Sequence, residues 1–102
     1  MSRRVLLVDD DPSVAAGLTV LLEDMGWEVR HADTARRAYM EYSSWSPDAV
    51  MLDVELPDAS GIEVLQQLKG YAEETPVIMM SGVGTVDRAV ECMKHGAETF
   101  LQ

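Results

Sequence analysis

A single cysteine, Cys92, stands in the 102-residue chain. It excludes an internal disulfide, suggests no metal site and reads as structurally neutral. Basic residues are also scarce, eight Lys and Arg against eighteen Asp and Glu, for a formal charge of −10. That balance opposes the counterion release that dominates binding to nucleic acid, so direct DNA or RNA binding by this chain is not expected. Long apolar runs are missing as well. Only four apolar residues follow Met1-Ser2-Arg3-Arg4, too few for a signal h-region or for a membrane span of about 20 residues. The expectation is a soluble, cytoplasmic protein that does not touch the membrane. Aromatic residues make up 6% against 47% hydrophobic residues in all, which suits one domain over residues 1–102 with a modest aliphatic core.

What is present is an alternation of short apolar runs and helical patterns. Arg4 to Val8 reads as a buried strand, and Asp11-Pro12 supplies an N-cap followed by proline at the first helical position. Val14, Leu18, Leu21 and Leu22 then recur at helical spacing until Gly26 stops the helix. Trp27 to His31 alternates apolar and polar residues, as a strand near the sheet edge does, and Thr34 caps a helix whose inner residues are Ala35, Ala38 and Tyr42. Ala49 to Leu52 is a third strand. The polar stretch from Asp53 to Gly61 leads into a helix through Leu68 that turns Ile62, Leu65 and Leu68 inward. Val77 to Met80 is a fourth strand, and Ser81 to Gly84 a loop. Val86, Ala89, Val90 and Met93 define another helix, ended by Gly96, before a fifth strand from Glu98 to Leu101. Such repeated βα units imply a parallel sheet with right-handed crossovers and helices on both faces.

In such a sheet the carboxyl ends of neighbouring strands lie side by side and form the ligand edge. Three stations fall there: Asp9-Asp10-Asp11 after VLLV, Asp53 after AVML, and Ser81-Gly82 after VIMM. Taken alone, the acidic triplet is a solvated helix cap and Asp53 a turn former. Their shared position at the ends of buried-type runs favours a site. Clustered carboxylates repel one another, which raises a pKa or recruits a small hard cation, magnesium being the natural choice. A carboxylate beside that ion, with a hydroxyl close by, is equipped to accept a phosphoryl group. His31 and His95 receive no role, because neither ends an apolar strand at this edge, and Trp27 and Trp45 are expected to pack at layer edges.

VLLVDDDP, VMLDVELPDASG, VIMMSGVGT and HGAETFLQ together make the whole chain resemble the receiver domain of bacterial two-component response regulators. Within that family, PVIMMSGVGTVDRAVECMKHGAETFL is most similar to the receivers of nitrogen-regulatory enhancer-binding activators. The resemblance implies a flavodoxin-like doubly wound five-stranded parallel sheet of order 2-1-3-4-5. It implies Asp53 as phosphoacceptor, Asp9 and Asp10 as the acidic pocket, and Mg2+ held by Asp10, Asp53 and the backbone carbonyl of Glu55. Ser81 would be the switch hydroxyl and Phe100 the switch aromatic. The implied partners are a sensor histidine kinase and a downstream output domain, with ATPase and DNA-binding parts, outside this chain. Such a domain is a signalling switch and not an enzyme in the usual sense.

One departure concerns the end of the chain. The family carries a lysine followed by proline immediately after the residue matching Gln102, and then a fifth helix, so the chain reads as a receiver truncated at the end of strand five. Loss of the lysine ammonium would weaken transfer chemistry and the active state. An uncovered flank of the sheet would favour a homodimer or exchange of elements between chains. The rival reading is an atypical receiver-like interaction module that works without phosphorylation. A magnesium-dependent phosphatase lacks its expected lysine and cap elements here, and a flavin domain lacks its Ser/Thr/Gly-rich phosphate loop.

Overall fold

Six residues of β1 (Arg3–Val8) set the frame, because their side chains alternate between two apolar layers. Leu6 and Val8 enter one layer, Val5 and Leu7 the other, as the two-residue period of a strand requires. The computed structural model describes residues 3–72, 74–81 and 93–101, excluding the side chain of Phe100. Its elements run β1, α1 (Pro12–Asp24), β2 (Trp27–Ala32), α2 (Ala35–Trp45), β3 (Ala49–Asp53), α3 (Gly61–Tyr71), β4 (Val77–Met80) and β5 (Thr99–Leu101). Every strand pairing is parallel, in the order β2-β1-β3-β4-β5. This is a flavodoxin-like α/β architecture.

Helices α2 and α3 cover one face, where Ala38, Val64, Leu65 and Leu68 meet Leu6, Val50, Leu52 and Met79. Each fully buried aliphatic side chain of this kind contributes about 1.5 to 3 kcal/mol relative to exposure. On the other face Ala15, Leu18 and Leu22 of α1 lie over Val5, Leu7 and Met51. Here the expected face of α1 needs correction. Val14 and Leu21 are 45% and 62% exposed, because the helix docks through Ala15, which is small enough to let it approach the sheet closely. Val64 joins Leu65 and Leu68 in the core, while Ile62 is only partly buried.

Trp45 also departs from expectation. It lies 6% exposed within the core, with the Arg30 guanidinium 5.0 Å from its ring centroid, in cation–π range. Trp27 is partly buried against the α1 layer. The helix expected over Val86 to Met93 falls mainly on residues 82–92, which lie outside the described residues together with Gly82 and Cys92. The expected absence of a fifth helix concerns positions past Leu101, the last residue described.

Candidate functional site

Backbone bonds just past the strands hold the carboxyl ends of β1, β3 and β4 in register with their neighbours β2, β4 and β5. The Asp9 amide donates to Ala32 O at 3.0 Å, the Val54 amide to Met80 O at 2.9 Å, and the Ser81 amide to Leu101 O at 2.9 Å. Asp9, Asp10, Asp53 and Ser81 thereby line one recess of about 480 Å³, whose apolar wall includes Val14, Leu18, Met51 and Leu101. One carboxylate oxygen from each of Asp9, Asp10 and Asp53 lies within 4.8 Å of the others. That spacing and an all-oxygen donor set fit a small hard divalent cation.

Each acid sits in a different local setting. Asp9 is buried, and its Oδ1 accepts the Asp11 amide at 2.8 Å. Asp11 also lines the recess and caps α1, its Oδ1 accepting from Ser13 N at 2.9 Å and Val14 N at 3.3 Å. Asp10 is exposed, and Asp53 is half-buried at the end of β3. Burial pushes the Asp53 carboxyl up to about 6, the Glu55 amide opposes the shift, and the charges of Asp9, Asp10 and Glu55 add to it.

A tight loop follows Asp53. Gly61 N donates to Val54 O at 2.6 Å and Leu56 N to Ala59 O at 3.2 Å, which pairs Glu55 with Ser60 in an antiparallel bridge. Those bonds run through the flanking residues, so the peptide groups of Glu55 itself face away from the bridge. Its amide reaches Asp53 Oδ1 at 3.1 Å. A side chain at Gly61 would overlap the Asp53 carbonyl oxygen, so only glycine permits this closure.

Ser81 is buried on the wall of the recess. Phe100 lies in β5 in register with Met79, and its side chain lies outside the described residues. Two residues without a role expected from sequence also bear on the site. His31 Nε2 is 2.6 Å from Asp9 O, so a histidine at the end of the edge strand does reach the acidic edge. Asp58, at the tip of the Val54–Gly61 loop, accepts two amides from the start of α2. Neither contact leaves a signal in a spacing pattern, since each joins a side chain to backbone more than 20 residues away.

Three comparisons bear on this geometry. Residues 5–102 match the response regulator receiver domain family. The chain is 37% identical over 95 residues to the luminescence regulatory protein LuxO of Vibrio campbellii, covering 93% of this chain and 21% of that protein. It is 35% identical over 104 residues to the nitrogen assimilation regulatory protein NtrX of Azorhizobium caulinodans, covering 100% of this chain and 23% of that protein. It therefore spans about a fifth of the length of these enhancer-binding regulators. Among solved structures, the CheX-CheY-BeF3-Mg+2 complex of Borrelia burgdorferi is similar with a TM-score of 0.92 and 28% identity, covering 97% of this chain and 76% of that one. With its parallel sheet, its acidic edge and this match over nearly all of its residues, the chain belongs to the response regulator receiver domain family, whose members are switched by phosphorylation of an aspartate.

Proposed function

We propose that Asp53 is the phosphoacceptor of this receiver, that the donor is a phosphohistidine of a sensor histidine kinase in the cytoplasm, and that the phosphorylated form controls an output domain or partner. The observation that carries this reading is the meeting of Asp9, Asp10 and Asp53 within 4.8 Å, in a recess that Ser81 also lines. Asp10, Asp53 and the outward-facing Glu55 carbonyl would hold Mg2+, with Asp9 holding Asp11 and the turn in place. Bound there, the ion would offset the charge that gathers on the phosphoryl oxygens. The BeF3 and Mg2+ of the related Borrelia complex support that assignment.

On this reading the chain's own residues take the following parts in the transfer. An ionised Asp53 oxygen attacks the phosphorus in line, the phosphorus–nitrogen bond breaks, and the imidazole leaves with the bonding electron pair. The Glu55 amide on Asp53 Oδ1 holds the carboxylate in one rotamer. Ser81 supplies a hydroxyl from the neighbouring strand end to the incoming phosphoryl oxygens, and Phe100 follows its movement within β5. The domain accepts a group once per signal and is not a turnover enzyme.

The test is exposure to a phosphorylated histidine kinase, or to a small-molecule phosphodonor with Mg2+, followed by assay for acid-labile phosphate. The parent chain is expected to be labelled and Asp53→Asn not. Retained label in Asp53→Asn would overturn the assignment. An unlabelled parent would favour the receiver-like interaction module.

A further inference from the structure

The first three helical residues of α2 illustrate how fully this fold accounts for its donors. A helix begins with amides that have no partner within the helix. The Arg37 amide is taken by Thr34 Oγ1 at 3.1 Å, the local cap read from sequence. The other two leave the element altogether. Ala35 N donates to Asp58 Oδ1 at 2.8 Å and Arg36 N to Asp58 Oδ2 at 3.1 Å, so a single carboxylate from the β3–α3 loop spans the start of α2. The two amides hold the Asp58 carboxyl below the usual carboxylate range, and the positive end of the helix favours the same ionised form.

Asp58 sits at the tip of the loop that also carries Glu55. Its neck is fixed where Gly61 closes on Val54 and Asp53, and its midpoint by the Leu56–Ala59 bond and the Glu55–Ser60 bridge. These anchors all lie within the loop or at its base. Asp58 bonds to a different element and, beside the packing of Leu56 and Ala59 against the core, helps to set the tilt of the loop relative to the sheet edge. Tilting it would carry the Glu55 carbonyl toward or away from the Asp10 and Asp53 carboxylates.

We infer that Asp58 is a positioning residue for the cation site: by clamping the loop tip onto the first two amides of α2, it holds the Glu55 carbonyl at the distance from Asp10 and Asp53 that a divalent ion requires. The inference rests on the ligand set proposed above. Ordering this loop during folding means that it need not be ordered when the ion binds, and preorganisation of that kind appears as affinity. Groups that orient metal ligands commonly change affinity by about 10- to 100-fold when lost. A single clamp among several anchors should lie near the lower end, about tenfold.

The experiment is a titration of the 102-residue chain with MgCl2 alone, followed by amide NMR shifts, in the parent, Asp58→Ala, Asp58→Asn and Asp53→Asn. The parent is expected to show saturating shifts at Asp10, Asp53 and Glu55 that Asp53→Asn loses. Asp58→Ala should bind about tenfold more weakly, with faster hydrogen exchange at Ala35 and Arg36. Asp58→Asn, which keeps an accepting oxygen, should recover part of the affinity and remains testable if the alanine variant folds poorly. Magnesium affinity within twofold of the parent in both Asp58 variants, whatever their melting temperatures, would reduce Asp58 to a helix cap and overturn the inference. A parent that does not bind Mg2+, or shifts that survive in Asp53→Asn, would instead overturn the ligand set, and the inference with it.

Discussion

His31 Nε2 lies 2.6 Å from the backbone carbonyl oxygen of Asp9. A carbonyl oxygen only accepts, so Nε2 carries the proton in this contact. The peptide groups flanking Asp9 are thereby fixed on both sides, the amide by Ala32 O and the carbonyl by the imidazole, while its carboxylate holds the Asp11 amide. The edge strand acts as a brace for the first acidic station. His31→Ala should cost about 1 kcal/mol of stability, the usual net worth of one such bond, and should broaden or shift the amides of Asp9, Asp10 and Asp11. Urea unfolding and an amide correlation spectrum check both. An unchanged spectrum from Asp9 to Asp11 would show that the brace is dispensable.

A second expectation concerns pH. Asp53 is pushed up to about 6, first by burial and then by the neighbouring acids, so its neutral form is the one the fold favours. Its contribution to stability is complete below its unfolded value near 3.8 and is lost as pH rises through about 6. At neutral pH the ionised carboxylate is therefore a liability, which Asp53→Asn removes. The variant should be more stable than the parent at pH 7.5 by about 1 to 2 kcal/mol, or roughly 5 °C in melting temperature, and the gain should vanish near pH 4. A gain independent of pH would deny the raised pKa. In the parent, a divalent cation must displace the same proton, so magnesium affinity should fall steeply below about pH 6.

Local chemistry explains how much of this was legible beforehand. The strands, the Asp11 and Thr34 caps, and the gathering of Asp9, Asp10, Asp53 and Ser81 at one edge all follow from apolar runs that end in polar residues. The face of α1 was misread because its apolar residues nearly encircle the helix. Period alone then does not separate Val14 and Leu21 from Ala15, Leu18 and Leu22, and docking on the sheet decides. Trp45 continues the spacing of Ala35, Ala38 and Tyr42, so its burial was recoverable from sequence. His31 and Asp58 were not, because each binds backbone brought near only by the fold.

The glycine that closes the loop after Asp53 should be irreplaceable. At Gly61 an added Cβ would overlap the Asp53 carbonyl oxygen and crowd Val54 Cα at 2.8 Å. Both are backbone at the end of a central strand, with no side chain free to move aside. Gly61→Ala should therefore destabilise the chain by about 2 to 3 kcal/mol through overpacking and displace Asp53 from Asp9 and Asp10, which weakens magnesium binding as well. Gly70, with nothing near its Cβ position, is the control. It lies within α3, where Gly70→Ala should stabilise by about 0.5 to 1 kcal/mol. Equal effects of the two substitutions would mean that propensity, and not the contact with Asp53, governs Gly61.

Substitution of Ser81 is expected to separate phosphorylation from the response to it. The residue is buried, fixed through its amide to Leu101 O at 2.9 Å, and shares the recess with Asp53. Removing its hydroxyl leaves the attacking carboxylate, the acidic cluster and the strand pairing in place, so Ser81→Ala should still acquire acid-labile phosphate at a rate within several-fold of the parent. On the proposed reading the variant would lose a donor to the phosphoryl oxygens, a bond to a charged acceptor worth about 1.5 to 3 kcal/mol. A two-state switch biased by that much less shifts its populations by roughly tenfold or more. With BeF3 and Mg2+ bound, amide shifts in β4 and β5 should therefore be much smaller in the variant than in the parent. If the bound spectra of the two proteins coincide, the hydroxyl does not report the phosphoryl group. If phosphorylation itself is abolished, Ser81 belongs to the transfer step and not to its readout.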